Sequence, residues 1–131
     1  MDTDERYKHM SAVRSKGSKP EILVRKLTHS LGYRYRLHAK RLPGKPDLVF
    51  LGKRKVIFVH GCFWHGHDCR RGKRVIRTNQ AYWAPKLAKN TERDAINAGT
   101  LQTMGWGVLV IWECETFQLD ILRRRIIEFL G

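Results

Sequence analysis

The sequence predicts an α/β protein: a mixed sheet flanked by helices, in the order helix, three strands, helix, strand, helix. Three observations predict it. Apolar residues recur at helical spacing in three segments, over 23–31, 87–104 and 119–130. Apolar runs at 48–51, 56–59 and 108–112 are short and bounded by turn residues, as buried strands are. The chain has 131 residues and 42% apolar content, enough for one core and one domain.

Residues 1–19 read as an N-terminal arm. They carry Met10, Val13 and the basic Arg6, Lys8, Arg14, Lys16 and Lys19, with little core-forming pattern. Such a segment either folds against DNA or stays a solvated tail. Residues 20–131 form the single domain. Ser18 with Glu21 makes a capping-box pattern, Pro20 suits a first helical turn, and Leu23, Leu27 and Leu31 recur every four residues until Gly32. A strand is expected over 33–37. PGKPD at 43–47 turns the chain into the strand 48–51, and 52–54 close a hairpin onto 56–59.

The segment 60–69 reads HGCFWHGHDC and is followed by a basic stretch over 70–77. A second helix begins near Tyr82 or Trp83 and runs to about Met104, with Leu87, Asn90, Asp94, Asn97, Leu101 and Met104 on one stripe. The middle of that stripe is polar. The strand 108–112 precedes a final helix defined by Leu119, Leu122, Ile126 and Leu130.

The formal net charge is +14, and between Arg6 and Asn90 the only acids are Glu21, Asp47 and Asp68. A basic surface of this kind attracts phosphate, since each neutralised phosphate releases condensed counterions. Nucleic acid is therefore the expected partner, ahead of an anionic membrane or mere solubility. No apolar run approaches the ~18 residues of a membrane span, and MDTDERYKHM lacks the apolar core of a signal peptide. A soluble, cytoplasmic protein with no membrane partner is expected. Three cysteines cannot all pair off, and near histidines they suggest thiolate ligation of zinc.

The rare acids in a basic field need a reason. Asp47 follows Pro46 at a strand start, where a carboxylate can project from a rigid edge toward Mg2+; ordinary turn chemistry is the alternative. Glu21 can reach the same ion or its water shell, or cap the first helix. His60 and His65 are candidates for general base or for orienting water, and equally for zinc or phosphate contacts. Asp94 lies on an inward stripe, where an unpaired carboxylate is costly, so a histidine or an arginine is expected beside it.

Cys62, His67, Cys69 and the distant Cys114 have the composition of a closed tetrahedral zinc site, which is structural because it has no open position. His65 competes with His67 for the imidazole place. Phe63 and Trp64, between these ligands, either pack beneath the metal or insert between base pairs as wedges. Trp83 joins the same surface or the core.

The segments GKPDLVF, VIFVHGCFWHGHDC, YWAPKLAKNTERD and GWGVLVIWEC resemble very short patch repair endonucleases over nearly the whole chain. The resemblance implies a restriction-endonuclease-like fold, structural Zn2+, catalytic Mg2+, and nicking of one DNA strand beside the thymine of a T·G mismatch left by 5-methylcytosine deamination. It implies that Asp47 is the essential magnesium ligand, assisted by the Val59 carbonyl. His65 would activate or orient water, with Glu21, His60 and Asp94 in support. Cys62, His67, Cys69 and Cys114 match the zinc set. Phe63, Trp64 and Trp83 match intercalating aromatics, with Met10 entering from the opposite groove. Val59 replaces a threonine typical of the family, and Gly66 and Asp68 stand where histidines are familiar.

The expected function is thus a magnesium-dependent, strand-specific mismatch-nicking endonuclease, associated with the bacterial nucleoid. A mismatch-repair accessory protein is a candidate partner, and a monomer suffices for a single-strand nick. Two rivals are a mobile-element or homing-type nuclease using the same catalytic domain and a non-catalytic, zinc-stabilised DNA-binding protein.

Overall fold

The computed structural model describes residues 18–37, 41–62 and 80–131. Helix α1 (Lys19–Ser30) is followed by strands β1 (Arg36–Leu37), β2 (Leu48–Phe50) and β3 (Lys55–His60), then by helix α2 (Gln80–Thr103), β4 (Gly107–Trp112) and α3 (Leu119–Leu130). Short 3-10 turns lie at Leu51–Lys53 and Glu113–Phe117. The four strands make one sheet in the order β1-β2-β3-β4. The first two pairings are antiparallel, β2 and β3 being joined by the short connection 51–54, and β3 and β4 are parallel with α2 lying between them in the chain.

Alternation along the strands divides the core in two. Leu48, Phe50, Ile57 and Ile111 pack with Val24 of α1 and Leu122, Ile126 and Leu130 of α3. Val49, Val56 and Phe58 pack with Leu101 of α2. Both faces of the sheet are covered, which is why β2, β3 and β4 read as continuous apolar runs rather than alternating ones. Each fully buried Leu, Ile or Val contributes about 1.5–3 kcal/mol relative to exposure.

The element order agrees with the sequence reading; several boundaries and faces differ. β1 is two residues long instead of five, because Tyr33 and Tyr35 pack against the first core. β2 stops at Phe50, where Leu51 opens a 3-10 turn and the chain reverses through Arg54 at φ 53°. β3 runs to His60, which pairs with Trp112, so His60 stands on the strand and not after it.

In α1 the innermost residues are Glu21, Val24 and Thr28, while Leu23, Leu27 and Leu31 are half-buried beside them. The helix is covered on two adjacent stripes, by the sheet and by α3, so the leucines mark its flank. Ser18 caps α1 by accepting from the Glu21 N–H at 3.3 Å. The Glu21 side chain itself is turned to Asp47 and Arg25. α2 begins at Gln80, earlier than expected, and runs through Pro85. Its stripe has Leu87 and Leu101 buried and Asn90, Asp94 and Asn97 half-buried. Met104 is exposed rather than inward, because the helix ends at Thr103 and the chain turns through Gly105 at φ 91°. Among the described residues no helix is long and apolar enough to cross a membrane.

Candidate active site

Asp47 enters β2 from the PGKPD turn, and its N–H donates to the Ile57 carbonyl at 3.1 Å. The β2–β3 ladder ends there, at Leu48 opposite Ile57. Two residues further along β3, Val59 presents its backbone to the edge that β2 has left. The Val59 N–H donates to Asp47 Oδ2 at 2.6 Å, standing in for the missing strand. The N–H and C=O of one strand residue point to the same edge, so the Val59 carbonyl is presented on the Asp47 side too.

Glu21 of α1 lies against this turn and is 3% exposed. It shares a hydrogen bond with Asp47, and its Oε2 accepts from Arg25 Nη1 at 3.4 Å. Asp47 is pushed up from its ordinary 3.8 to about 7: burial is the main cause and the Glu21 charge adds to it, against the lowering effect of the Val59 N–H. Two carboxylates held together out of water, one of them unwilling to ionise, are hard oxygen donors of the kind a divalent cation takes.

The other face of β3 carries the second part of the site. His60 is 7% exposed, between Phe58 (centroids 5.5 Å apart) and Trp112 (5.3 Å, edge to face). A cavity of about 210 Å³ opens beside it, lined by Phe58, His60, Thr91, Asp94, Asn97 and Trp112 among others. His60 and Asp94 thus meet across a single cavity, with Asp94 supplied by the polar middle of α2. Gly44 of the PGKPD turn lies so close to α2 that an added Cβ would stand 3.1 Å from Asn97 and Phe58. That approach joins the Asp47 turn to the His60–Asp94 face.

Beyond β3 and β4 the chain brings two cysteines together. Cys62 and Cys114 each stand two residues past the last register pair, His60–Trp112, and the Cys114 N–H donates to Cys62 Sγ at 3.4 Å. No disulfide joins them. The 3-10 turn bearing Cys114 is held by Glu115, which accepts from the Trp112 N–H at 2.9 Å and from Arg125 of α3.

The structure therefore gathers Asp47, Glu21 and Val59 into one cluster, His60 and Asp94 around one cavity, and Cys62 with Cys114. Met10, Phe63, Trp64, His65, Gly66, His67, Asp68 and Cys69 lie outside the described residues, and of Trp83 only the backbone place in α2 is described. No group of three or more potential metal ligands is assembled among the described residues. Sequence reasoning missed Arg25, Tyr35, Gly44 and Glu115. Arg25 left a signal in its i+4 spacing from Glu21 and Glu115 one in its i+3 spacing from Trp112, whereas the roles of Tyr35 and Gly44 depend on long-range packing.

The catalytic domain of the homing endonuclease I-Bth0305I superposes with a TM-score of 0.59 at 19% identity, covering 86% of this chain and 94% of that one. The two chains thus share a fold. The family model for the DNA mismatch endonuclease Vsr matches residues 1–71. The type II nicking enzyme V.XorIIP of Xanthomonas oryzae pv. oryzae is 50% identical over 117 residues, 89% of this chain and 85% of that protein. The DNA mismatch endonuclease Vsr of Escherichia coli is 41% identical over 113 residues, 86% and 72% of the two chains. The chain belongs to the DNA mismatch endonuclease Vsr family and is a DNA endonuclease.

Proposed function

We propose that this endonuclease nicks one strand of duplex DNA beside the thymine of a T·G mismatch arising from 5-methylcytosine deamination, with catalytic Mg2+ and structural Zn2+. The observation that carries the reading is the buried Glu21–Asp47 pair anchored on the Val59 N–H. The mismatch and the single-strand cut are supported by relatives that are themselves a DNA mismatch endonuclease and nicking enzymes.

A divalent ion fits the donor set, because a carboxylate pair that resists ionisation when empty is relieved by a cation. Asp47, with the Val59 carbonyl and Glu21 beside it, would hold Mg2+, which supplies neutralisation of charge on the phosphate. The chain's own groups do the rest. His65 accepts a proton from the attacking water, or orients it, for in-line displacement at phosphorus; one P–O ester bond breaks and the leaving oxygen takes up a proton. His60, held between Phe58 and Trp112, and Asp94 across the cavity support that water.

Cys62, His67, Cys69 and Cys114 would hold Zn2+, and the meeting of Cys62 with Cys114 fits such a shared ligand set. The metal would tie the ends of β3 and β4 together and stiffen the loop bearing Phe63 and Trp64. Those two, with Trp83, act as wedges in the base stack, and Met10 of the arm formed by residues 1–19 enters from the opposite groove. Selection follows because a T·G pair is cheaper to deform than a matched pair.

The test is a hemimethylated duplex with one T·G pair against its matched control, in Mg2+. Nicking of the mismatched strand alone is expected. Equal cutting of both, or of neither, overturns the assignment.

A further inference from the structure

Arg25 sits one helical turn beyond Glu21 on α1, and its guanidinium reaches Glu21 Oε2 at 3.4 Å. The pair is asymmetric: the Glu21 side chain is 4% exposed and that of Arg25 30%. An i,i+4 ion pair at a surface is ordinary and worth only a few tenths of a kcal/mol. Three features set this one apart.

The acid is buried beside a second carboxylate, Asp47, with which it shares a hydrogen bond. The Arg25 backbone carbonyl accepts from Tyr35 Oη at 3.1 Å, which fixes this turn of α1 against the segment leading into β1. The Tyr35 ring in turn meets Phe50 edge to face, with centroids 6.2 Å apart, and Phe50 lies on the strand that Asp47 enters. The contacts run from Phe50 through Tyr35 to the Arg25 backbone, and from the Arg25 guanidinium to Glu21. They fix the turn of α1 from which the guanidinium reaches one oxygen of a buried acid.

We propose that Arg25 is a positioning residue for the metal centre: it supplies positive charge beside the carboxylate pair and holds the Glu21 carboxylate in one orientation by its Oε2. The inference rests on the reading that Asp47 and Glu21 receive Mg2+. It carries two consequences of opposite sign. A fixed positive charge next to the pair opposes an incoming cation, so Arg25 weakens Mg2+ binding. The orientation it imposes on Glu21 favours the reaction, so Arg25 raises the rate. The Coulomb effect dominates binding, because a single 3.4 Å contact gives little orientation energy whereas the charge acts on any cation the carboxylates receive.

The test measures Mg2+ binding to the free protein by calorimetry, and separately the nicking rate at saturating Mg2+. In Arg25→Ala, Mg2+ should bind about threefold or more tightly than in the wild type while the rate falls about tenfold. Arg25→Lys should restore the wild-type binding constant, since it keeps the charge, but only part of the rate, since it lacks the planar fork. Tyr35→Phe should lower the rate and leave Mg2+ binding unchanged. In a Glu21→Gln background, Arg25→Ala should bring no further loss of rate.

Unchanged or weaker Mg2+ binding in Arg25→Ala, or an additive loss in the Glu21→Gln background, overturns the proposal. Asp47→Asn separates the two levels. If the wild type binds no Mg2+, or Asp47→Asn binds it equally well, the magnesium reading falls and this inference falls with it. If Asp47→Asn loses binding and only the Arg25 results fail, the magnesium reading stands alone.

Discussion

Asp47 Oδ2 accepts the Val59 N–H at 2.6 Å across twelve residues of chain, filling the place on the edge of β3 that a longer β2 would have taken. One carboxylate thereby closes the sheet and faces Glu21. Structural and chemical demands on it conflict, and that conflict can be measured.

Asp47→Asn keeps an acceptor for the Val59 N–H and removes the repulsion with Glu21. Nicking should fall by about a thousandfold or more. Stability at neutral pH should be equal to the wild type or higher by about 1 kcal/mol, as at sites where function opposes stability. Chemical denaturation together with a nicking assay checks both; a marked loss of stability would show that the carboxylate serves the fold alone.

The pH dependence has a defined sign. Folded Asp47 titrates at about 7 and its ordinary value is 3.8, so between the two the folded chain holds a proton that the unfolded chain releases. The associated stability is fully present below the lower value and is lost as pH rises through the upper one. In chelator, the wild-type Tm should therefore fall relative to Asp47→Asn between about pH 4 and about pH 7. Mg2+ should reverse that loss at the alkaline end, and the free chain should bind Mg2+ more tightly as pH rises toward about 7, where the carboxylate ionises.

Gly44 couples the Asp47 turn to α2. Its φ is +76°, and an added Cβ would meet Asn97 and Phe58 at 3.1 Å. Gly44→Ala should cost about 1–3 kcal/mol and lower nicking by shifting the turn. Gly52→Ala, with nothing within 4 Å of the added carbon, is the control and should stay within about 0.5 kcal/mol of the wild type.

Metal analysis of the purified protein should find about one zinc per chain, lost from both Cys62→Ala and Cys114→Ala with a large drop in Tm. Glu115→Ala, which releases the turn bearing Cys114 from Trp112 and Arg125, should weaken zinc retention without removing a ligand. Full zinc content in both cysteine variants would remove Cys62 and Cys114 from the set.

Much of the candidate site was legible because its chemistry contradicts its surroundings. Asp47 and Glu21 stand out as acids in a basic field, Asp94 as a polar break in an amphipathic stripe, and Cys62 with Cys114 as thiols that cannot all pair off. The element order was legible for a similar reason: period-3.6 and short apolar runs are local. The face of α1 was not, since Leu23, Leu27 and Leu31 look innermost until α3 covers their flank and places Val24 and Thr28 deepest. His60 looked like a residue after a strand because an imidazole interrupts an apolar run, yet pairing with Trp112 extends β3 through it.

The residues by themselves determined the chemistry available: a basic chain with rare carboxylates, imidazoles and thiols at distinctive spacing, on an α/β order set by periodicity. The tertiary structure decided which of those groups meet. Glu21 and Asp47 are twenty-six positions apart in the chain, and the packing of α1 on the sheet brings them to one hydrogen bond. Only the parallel pairing of β3 with β4 brings Cys62 to Cys114. Local pattern reports the nature of each side chain and the element that carries it, whereas proximity across the chain depends on sheet register and helix packing, which no local spacing encodes.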